Sequence, residues 1–182
     1  MRYWWVNQNQ TYKFEVPGGF LWSPKTRADG GSNYFYNTME QVRTGDVVFS
    51  YSGTYIKAVG IVKSEAKTAR KPNFQSAGSN WAKEGWYVPV DFTEMNSQFK
   101  PKEFIESIRP LLAEKYAPLQ RNGNGLQGVY LTEISRPFAK LLMKLLLIDL
   151  DLLEGTNQRG LDSFGAETIE TDIEERRNSG YL

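Results

Sequence analysis

The run DVVFSYSGTYIKAVGIVKSEA, residues 46–66, decides the fold. β-Branched and aromatic residues crowd 46–52 and 55–66, and a short Gly53-Thr54 break separates them. Two such runs flanking a glycine-bearing turn read as a β-hairpin. Upstream, RYWWVN (2–7) reads as an opening strand. Residues 11–22 are mixed and carry a Pro-Gly-Gly turn at 17–19. Residues 34–43 read as a short helix, with Met39 and Val42 three apart, closed by Gly45-Asp46. Downstream, 67–83 reads as a polar, basic loop ending near Trp81. GWYVPVDF (85–92) reads as a strand whose Pro89 favours an edge or a bulge.

Residues 101–116 read as a helix kinked at Pro110. The paired Asn-Gly steps of 120–128 mark a loop, and VYLTEI (129–134) a short strand. Ser135 then caps a helix from about 136 to 153, with Phe138, Leu141, Leu142, Leu145 and Leu146 as its apolar stripe. From Gly155 the composition turns polar and acidic. The organisation expected is one α+β domain over 1–154 and a polar acidic tail or linker over 155–182, with a short helix near 167–177. About five or six mostly antiparallel strands curl into a small barrel, flanked by helices.

The chain has no His and no Cys in 182 residues. Catalytic triads and zinc sites built on those side chains are excluded, and no disulfide can form. The lack of cysteine fits a reducing, cytoplasmic setting. The opening MRYWWVNQNQ turns polar too soon for a secretory signal. The Leu-rich 141–153 is too short and too charged to span a membrane. Net charge is +1, yet residues 57–83 hold Lys57, Lys63, Lys67, Arg70, Lys71 and Lys83 against Glu65 alone. A local basic surface can coexist with a neutral total.

Loops seldom carry as many rings as GGFLWSPKTRADGGSNYFYNTM (18–39), which has five aromatics among Gly, Ser, Pro and Asn. Such a loop either tucks under a core or stacks on something flat. Trp22 and Trp81 are free either to pack in the core or to wall an aromatic cage for a flat guest, Trp81 because its neighbours Ser79, Asn80, Ala82 and Lys83 are poor core company. Tyr36 and Tyr51 can close such a cage or pack beneath it. Trp4 and Trp5 are adjacent in a strand and face opposite sides. One is core and the other is free to line a cavity, and Trp5 is counted with the cage. Ser23 and Asn7 are short polar groups able to read a base edge. Lys25 and Arg27 follow one wall, while Lys67, Arg70 and Lys71 precede the other. Basic groups on both sides suit the phosphates flanking one nucleotide.

The ordered set YWWVN, GGFLWSP, MEQVRTGDVVFSYS with IKAVGIV, GWYVPVDF and NGNGLQGVYLTEIS resembles the EVE domain of the PUA-like superfamily, related to YTH domains. It is closest to the amino-terminal reader module of modification-dependent EVE-HNH restriction endonucleases. The resemblance covers about residues 2–150. It implies a pseudobarrel that holds one modified base in an aromatic cage, with Trp22 and Trp81 as walls. It also implies a loop against the nucleic-acid backbone, here Arg121, Asn122, Asn124 and Gln127. The expectation is a DNA-binding module, not an enzyme, that flips 5-methyl- or 5-hydroxymethylcytosine out of double-stranded DNA. Neither cofactor nor metal is expected, and an HNH nuclease domain would follow in the full-length protein. Rival readings are an N6-methyladenine or modified-RNA reader, a carboxylate enzyme using Asp46, Glu65 or Asp91, and a protein-interaction domain.

Overall fold

A computed structural model describes residues 1–147. The predicted hairpin is its centre. Strands β3 (Val47–Ser52) and β4 (Tyr55–Val62) pair antiparallel. Both turn residues, Gly53 and Thr54, have positive φ (56° and 73°), as the tightest two-residue hairpin turn requires. Strand β1 (Tyr3–Asn7) lies parallel to β3 on one side and antiparallel to β7 (Leu131–Ile134) on the other. The full order is β2 (Phe20–Pro24), β6 (Glu84–Phe99), β4, β3, β1, β7, with a further strand, β5 (Lys67–Arg70), on β6. Among the described residues there are thus seven strands, one or two beyond the five or six expected, and they are mostly antiparallel as read, with β1–β3 the parallel pair.

The β1–β3 crossover holds helix α1 (Tyr12–Gly18), strand β2 (Phe20–Pro24) and helix α2 (Tyr34–Asn37), which runs into a 3₁₀ turn, Thr38–Gln41. Helix α1 was not expected, because Pro17 and Gly18 mask it. Pro17 sits in its last turn, and Gly19 ends it in the left-handed region at φ 69°. The loop expected at 67–83 contains a real strand, β5 (Lys67–Arg70), paired with β6 (Glu84–Phe99). Its exposed, charged sequence hides it, since backbone pairing alone makes it a strand.

Strand β6 is twice the expected length and changes partner along its course. Gly85–Pro89 pair with β2, and Val90 onward with β4. Pro89 sits at the switch, past the end of β5 pairing and before β4 pairing begins, where its missing N–H leaves no gap in the ladder. The helix expected over 101–116 is broken. It consists of a 3₁₀ turn Pro101–Phe104, one turn of helix α3 (Ile105–Ile108) and a second 3₁₀ turn Arg109–Leu111. Pro110, which lacks an N–H, denies it a continuous hydrogen-bond ladder, whereas Pro101 sits at the first position, where proline is tolerated.

Helix α4 (Arg136–Leu145) starts as read, with Ser135 Oγ accepting from the Phe138 N–H. Leu147 has φ 58°, so the helix stops there. Residues 148–153 of the helix first expected, and the whole 155–182 tail, lie outside the described residues. The core joins Trp4, Val6, Leu21, Met39, Val48, Val62, Val88, Val90 and Leu131 across both halves of the sheet.

Candidate nucleic-acid interface

A cleft of about 590 Å³ opens where β1 ends and the β3–β4 ladder is bulged. The β3–β4 register slips between Ser50 and Tyr51, leaving Lys57 as an extra residue on β4. A bulge of this kind re-aims a side chain, and Tyr51 enters the cleft wall. Tyr36 comes from α2, Asn7, Asn9, Gln10 and Thr11 from the end of β1 and the turn after it, and Trp81 from the loop before β6. The segment Gly125–Tyr130 supplies the rest of the lining, with Thr54 from the hairpin turn. Burial pushes the Tyr36 and Tyr51 phenols above their ordinary range, so both stay protonated donors. The lining therefore combines four rings, those of Tyr36, Tyr51, Trp81 and Tyr130, with amides and hydroxyls, and no Lys or Arg is among its residues.

Behind the cleft lies a polar hub that sequence reading missed. Glu15 is fully buried, yet four groups donate to its carboxylate. Gln8 Nε2 (2.7 Å) and Thr11 Oγ1 (2.7 Å) reach one oxygen; the Trp22 N–H (2.8 Å) and the Tyr130 hydroxyl (2.6 Å) reach the other. Tyr130 and Thr11 also face the cleft. Burial raises the Glu15 carboxyl above the usual range and the four donors pull it back, with burial the larger effect. Tyr130, beside that carboxylate and equally buried, is raised well above the ordinary phenol. Glu15 stands in the ordinary-looking stretch KFEV, and only its apolar neighbours Phe14 and Val16 hint at burial.

The predicted residues are distributed unevenly over this geometry. Asn7, Tyr36, Tyr51, Trp81 and Gln127 meet in the cleft. Trp22 does not line it. It is 1% exposed and lies behind Trp81, ring centroids 6.2 Å apart and nearly parallel at 27°, with Phe74 edge-on to both. A flat guest between two rings needs about 7–8 Å, two carbon contacts of ~3.5–4 Å, so the Trp22–Trp81 gap is closed. Trp5 also lies outside the lining. It is fully buried, 5.0 Å beneath Tyr51 and 6.1 Å from Phe138. Trp4 is equally buried and donates to Asp46. Ser23 points into the interior, and its hydroxyl has no hydrogen-bond partner.

Most of the basic candidates are engaged locally. Lys25 donates to Thr68 (2.6 Å) and rides over Trp86. Arg27 pairs with Asp29, Lys67 covers Tyr87, and Lys71 donates to the Gly78 carbonyl (2.7 Å). Arg70 lies opposite Glu84 in the β5–β6 ladder. In the Asn-Gly loop, Asn122 Oδ1 holds the Asn124 N–H, and Asn124 Oδ1 accepts from Lys102, a cation that was not singled out. Arg121 donates to the Arg109 carbonyl, and Arg109 Nε returns a bond to the Arg121 carbonyl. Asp46 is a lock rather than a free carboxylate, accepting from the Arg2 N–H, the Trp4 indole and the Arg43 N–H.

No family model matches the chain, and no curated protein matches it. Solved structures do. A hypothetical protein from Leishmania major aligns over 80% of this chain and 94% of its own, at 14% identity and a TM-score of 0.54. A Pseudomonas putida protein covers 79% and 99%, at 12% identity and 0.53. Human THYN1, crystallised with DNA containing 5-methylcytosine, covers 82% and 99%, at 12% identity and 0.50. The fold shared with them is the expected α+β pseudobarrel. At such identities the likeness speaks for the fold alone. Within that frame, the cleft sits at the ends of the parallel strands β1 and β3, beside Asn7 and Tyr51.

Proposed function

We propose that the chain is a nucleic-acid reader that takes one modified base, a 5-methyl- or 5-hydroxymethylcytosine of double-stranded DNA, into the 590 Å³ cleft. The observation that carries this reading is the lining itself. Trp81, Tyr51 and Tyr36 offer faces and edges to a flat guest, and Asn7, Gln10 and Gln127 offer both donors and acceptors to its rim. Base–aromatic stacking contributes about 1–3 kcal/mol, against a few kcal/mol to extrude a base. Edge hydrogen bonds and backbone contacts must supply the remainder. Lys102 and Arg121 beside the Asn-Gly loop are the cations placed for phosphates. The 5-methylcytosine DNA held by THYN1, a protein of the same fold, supports the choice of base.

Trp22 acts from behind. It braces Trp81, and a swing of Trp81 by a few ångströms would open the space between the two rings to the base. Taken further, this module would target a modification-dependent restriction endonuclease in the cytoplasm, with cleavage by an HNH domain that follows it. The chain itself would bind and not cut.

Fluorescence anisotropy on matched duplexes carrying C, 5-methyl-C, 5-hydroxymethyl-C or N6-methyl-A, at one fixed salt concentration, tests this. Tighter binding to a modified cytosine, lost in Trp81→Ala, is expected. Equal affinity for all four, unchanged in the variant, would sink it. Preference for N6-methyl-A would keep the reader and change its base.

A further inference from the structure

Tyr34 and Tyr116 are 37% and 49% exposed, two of the five large hydrophobic residues left open to solvent among those described. They are stacked on each other, centroids 3.5 Å apart and planes 9° from parallel. Phe35 stands edge-on to both, at 5.4 and 6.0 Å. Tyr116 has φ 59°, a left-handed conformation that a bulky side chain adopts at a cost. Thr132 Oγ1 holds that turn by donating to the Tyr116 carbonyl at 2.7 Å. A strained backbone thus presents a ring outward, where no core gains from it.

Tyr116 lines a second groove of about 370 Å³ with Phe35, Leu119, Glu114 and Arg121. Leu126, Gln127 and Val129 belong to this groove and to the cleft, so the 125–129 segment is a ridge between them.

We propose that Tyr116, backed by Tyr34, is a second nucleobase platform, taking an unpaired base of the same strand whose modified base occupies the cleft. The proposal rests on the cleft reading, and the shared ridge is what ties the two. A stacked ring pair that is partly open to solvent suits any base, because every base has a π face. Arg121 offers charge at one end of the groove. Glu114 disfavours a phosphate at its own position, which leaves the ring face for the base rather than the backbone.

The test uses DNA with one 5-methylcytosine and 2-aminopurine placed one or two nucleotides to either side. It compares wild type, Tyr116→Phe and Tyr116→Gly. Glycine is at ease at this φ, which offsets part of the packing lost with the ring, so the last variant is expected to stay folded, as its melting curve would check. The expected result is quenching of 2-aminopurine at one position in wild type and Tyr116→Phe, absent in Tyr116→Gly, with affinity about 5- to 100-fold lower. Unaltered affinity and no quenching at any position, in a wild type that still prefers modified DNA, would overturn the platform and spare the cleft. A wild type that binds no DNA would overturn both.

Discussion

The back and the front of the cleft follow opposite rules. At the back, Glu15 gathers four donors from three separate places in the chain, and every bonding direction is used. At the front, Trp81 sits on a loop, Gln127 and Asn7 face open space, and the Asn-Gly loop bonds mainly to itself. Buried polar groups have to be satisfied inside the protein, because water cannot reach them. Groups at a rim keep capacity for a partner. The saturated side fixes the cleft's shape and the unsaturated side is left to recognise.

Breaking the back should have the largest effect. Glu15→Ala strands the Tyr130 hydroxyl and the Gln8 and Thr11 side-chain donors, while the Trp22 N–H keeps the Tyr130 oxygen as an acceptor. At about 1–3 kcal/mol per stranded group, at least ~3 kcal/mol of stability should go, lowering Tm by roughly 6–12 °C; an unchanged melt would show the hub to be dispensable. Gly85→Ala comes next. An added Cβ would fall 2.1 Å from the Ser23 carbonyl oxygen and 2.5 Å from the Trp22 ring, so β2 must separate from β6. We expect about 2 kcal/mol lost, a value within the range for overpacked cores, and weaker DNA binding as Trp22 shifts. A fully stable variant would mean the strands can part freely.

Trp81→Ala should reverse the pattern, with affinity for modified DNA down by about 1–3 kcal/mol and Tm nearly constant, read by titration and calorimetry side by side. Comparable losses in both would place Trp81 with the back, as a structural residue.

The smaller effects depend on pH. Burial raises Glu15, so its folded-state pKa lies above the unfolded one. Folding then takes up a proton between those two values. The stability contributed is fully present below the unfolded pKa and is lost as pH rises through the folded one. Glu15→Gln should flatten that slope in denaturant midpoints measured across the acid range; an identical slope would assign it elsewhere. Asp29 is the exposed counterpart. Its hydrogen bond from Arg27 lowers it to about 2, so its contribution holds above the ordinary Asp value and fades as pH falls toward 2. Solvent screens such a pair, so Asp29→Asn should barely move Tm, while the Asp29 carboxyl carbon should titrate near 2 by NMR. A midpoint near 4 would dissolve the pair.

Local patterns carried much of this molecule. The hairpin around Gly53-Thr54, the opening strand, the Ser135 cap and the Asn-Gly loop all stand where residues 46–66, 2–7, 135 and 120–128 predict. Each depends on neighbours within a few positions, and so does the aromatic character of the loop bearing Trp22. Of the residues singled out in the sequence, Asn7, Tyr36, Tyr51, Trp81 and Gln127 line the cleft, and Trp81 alone stood out as a ring among neighbours a core does not ask for.

Partners far along the chain decided the rest. Strand β5 exists because β6 passes beside it, and β6 runs 16 residues because it serves β2, β5 and β4 in turn. Trp22 is hidden because Trp81 and Phe74 cover it, and Glu15 becomes a hub only once Tyr130, 115 residues away, reaches it. Composition and periodicity record what a residue prefers nearby. Burial and polar satisfaction are set by which distant segments arrive, and only the tertiary structure contains that.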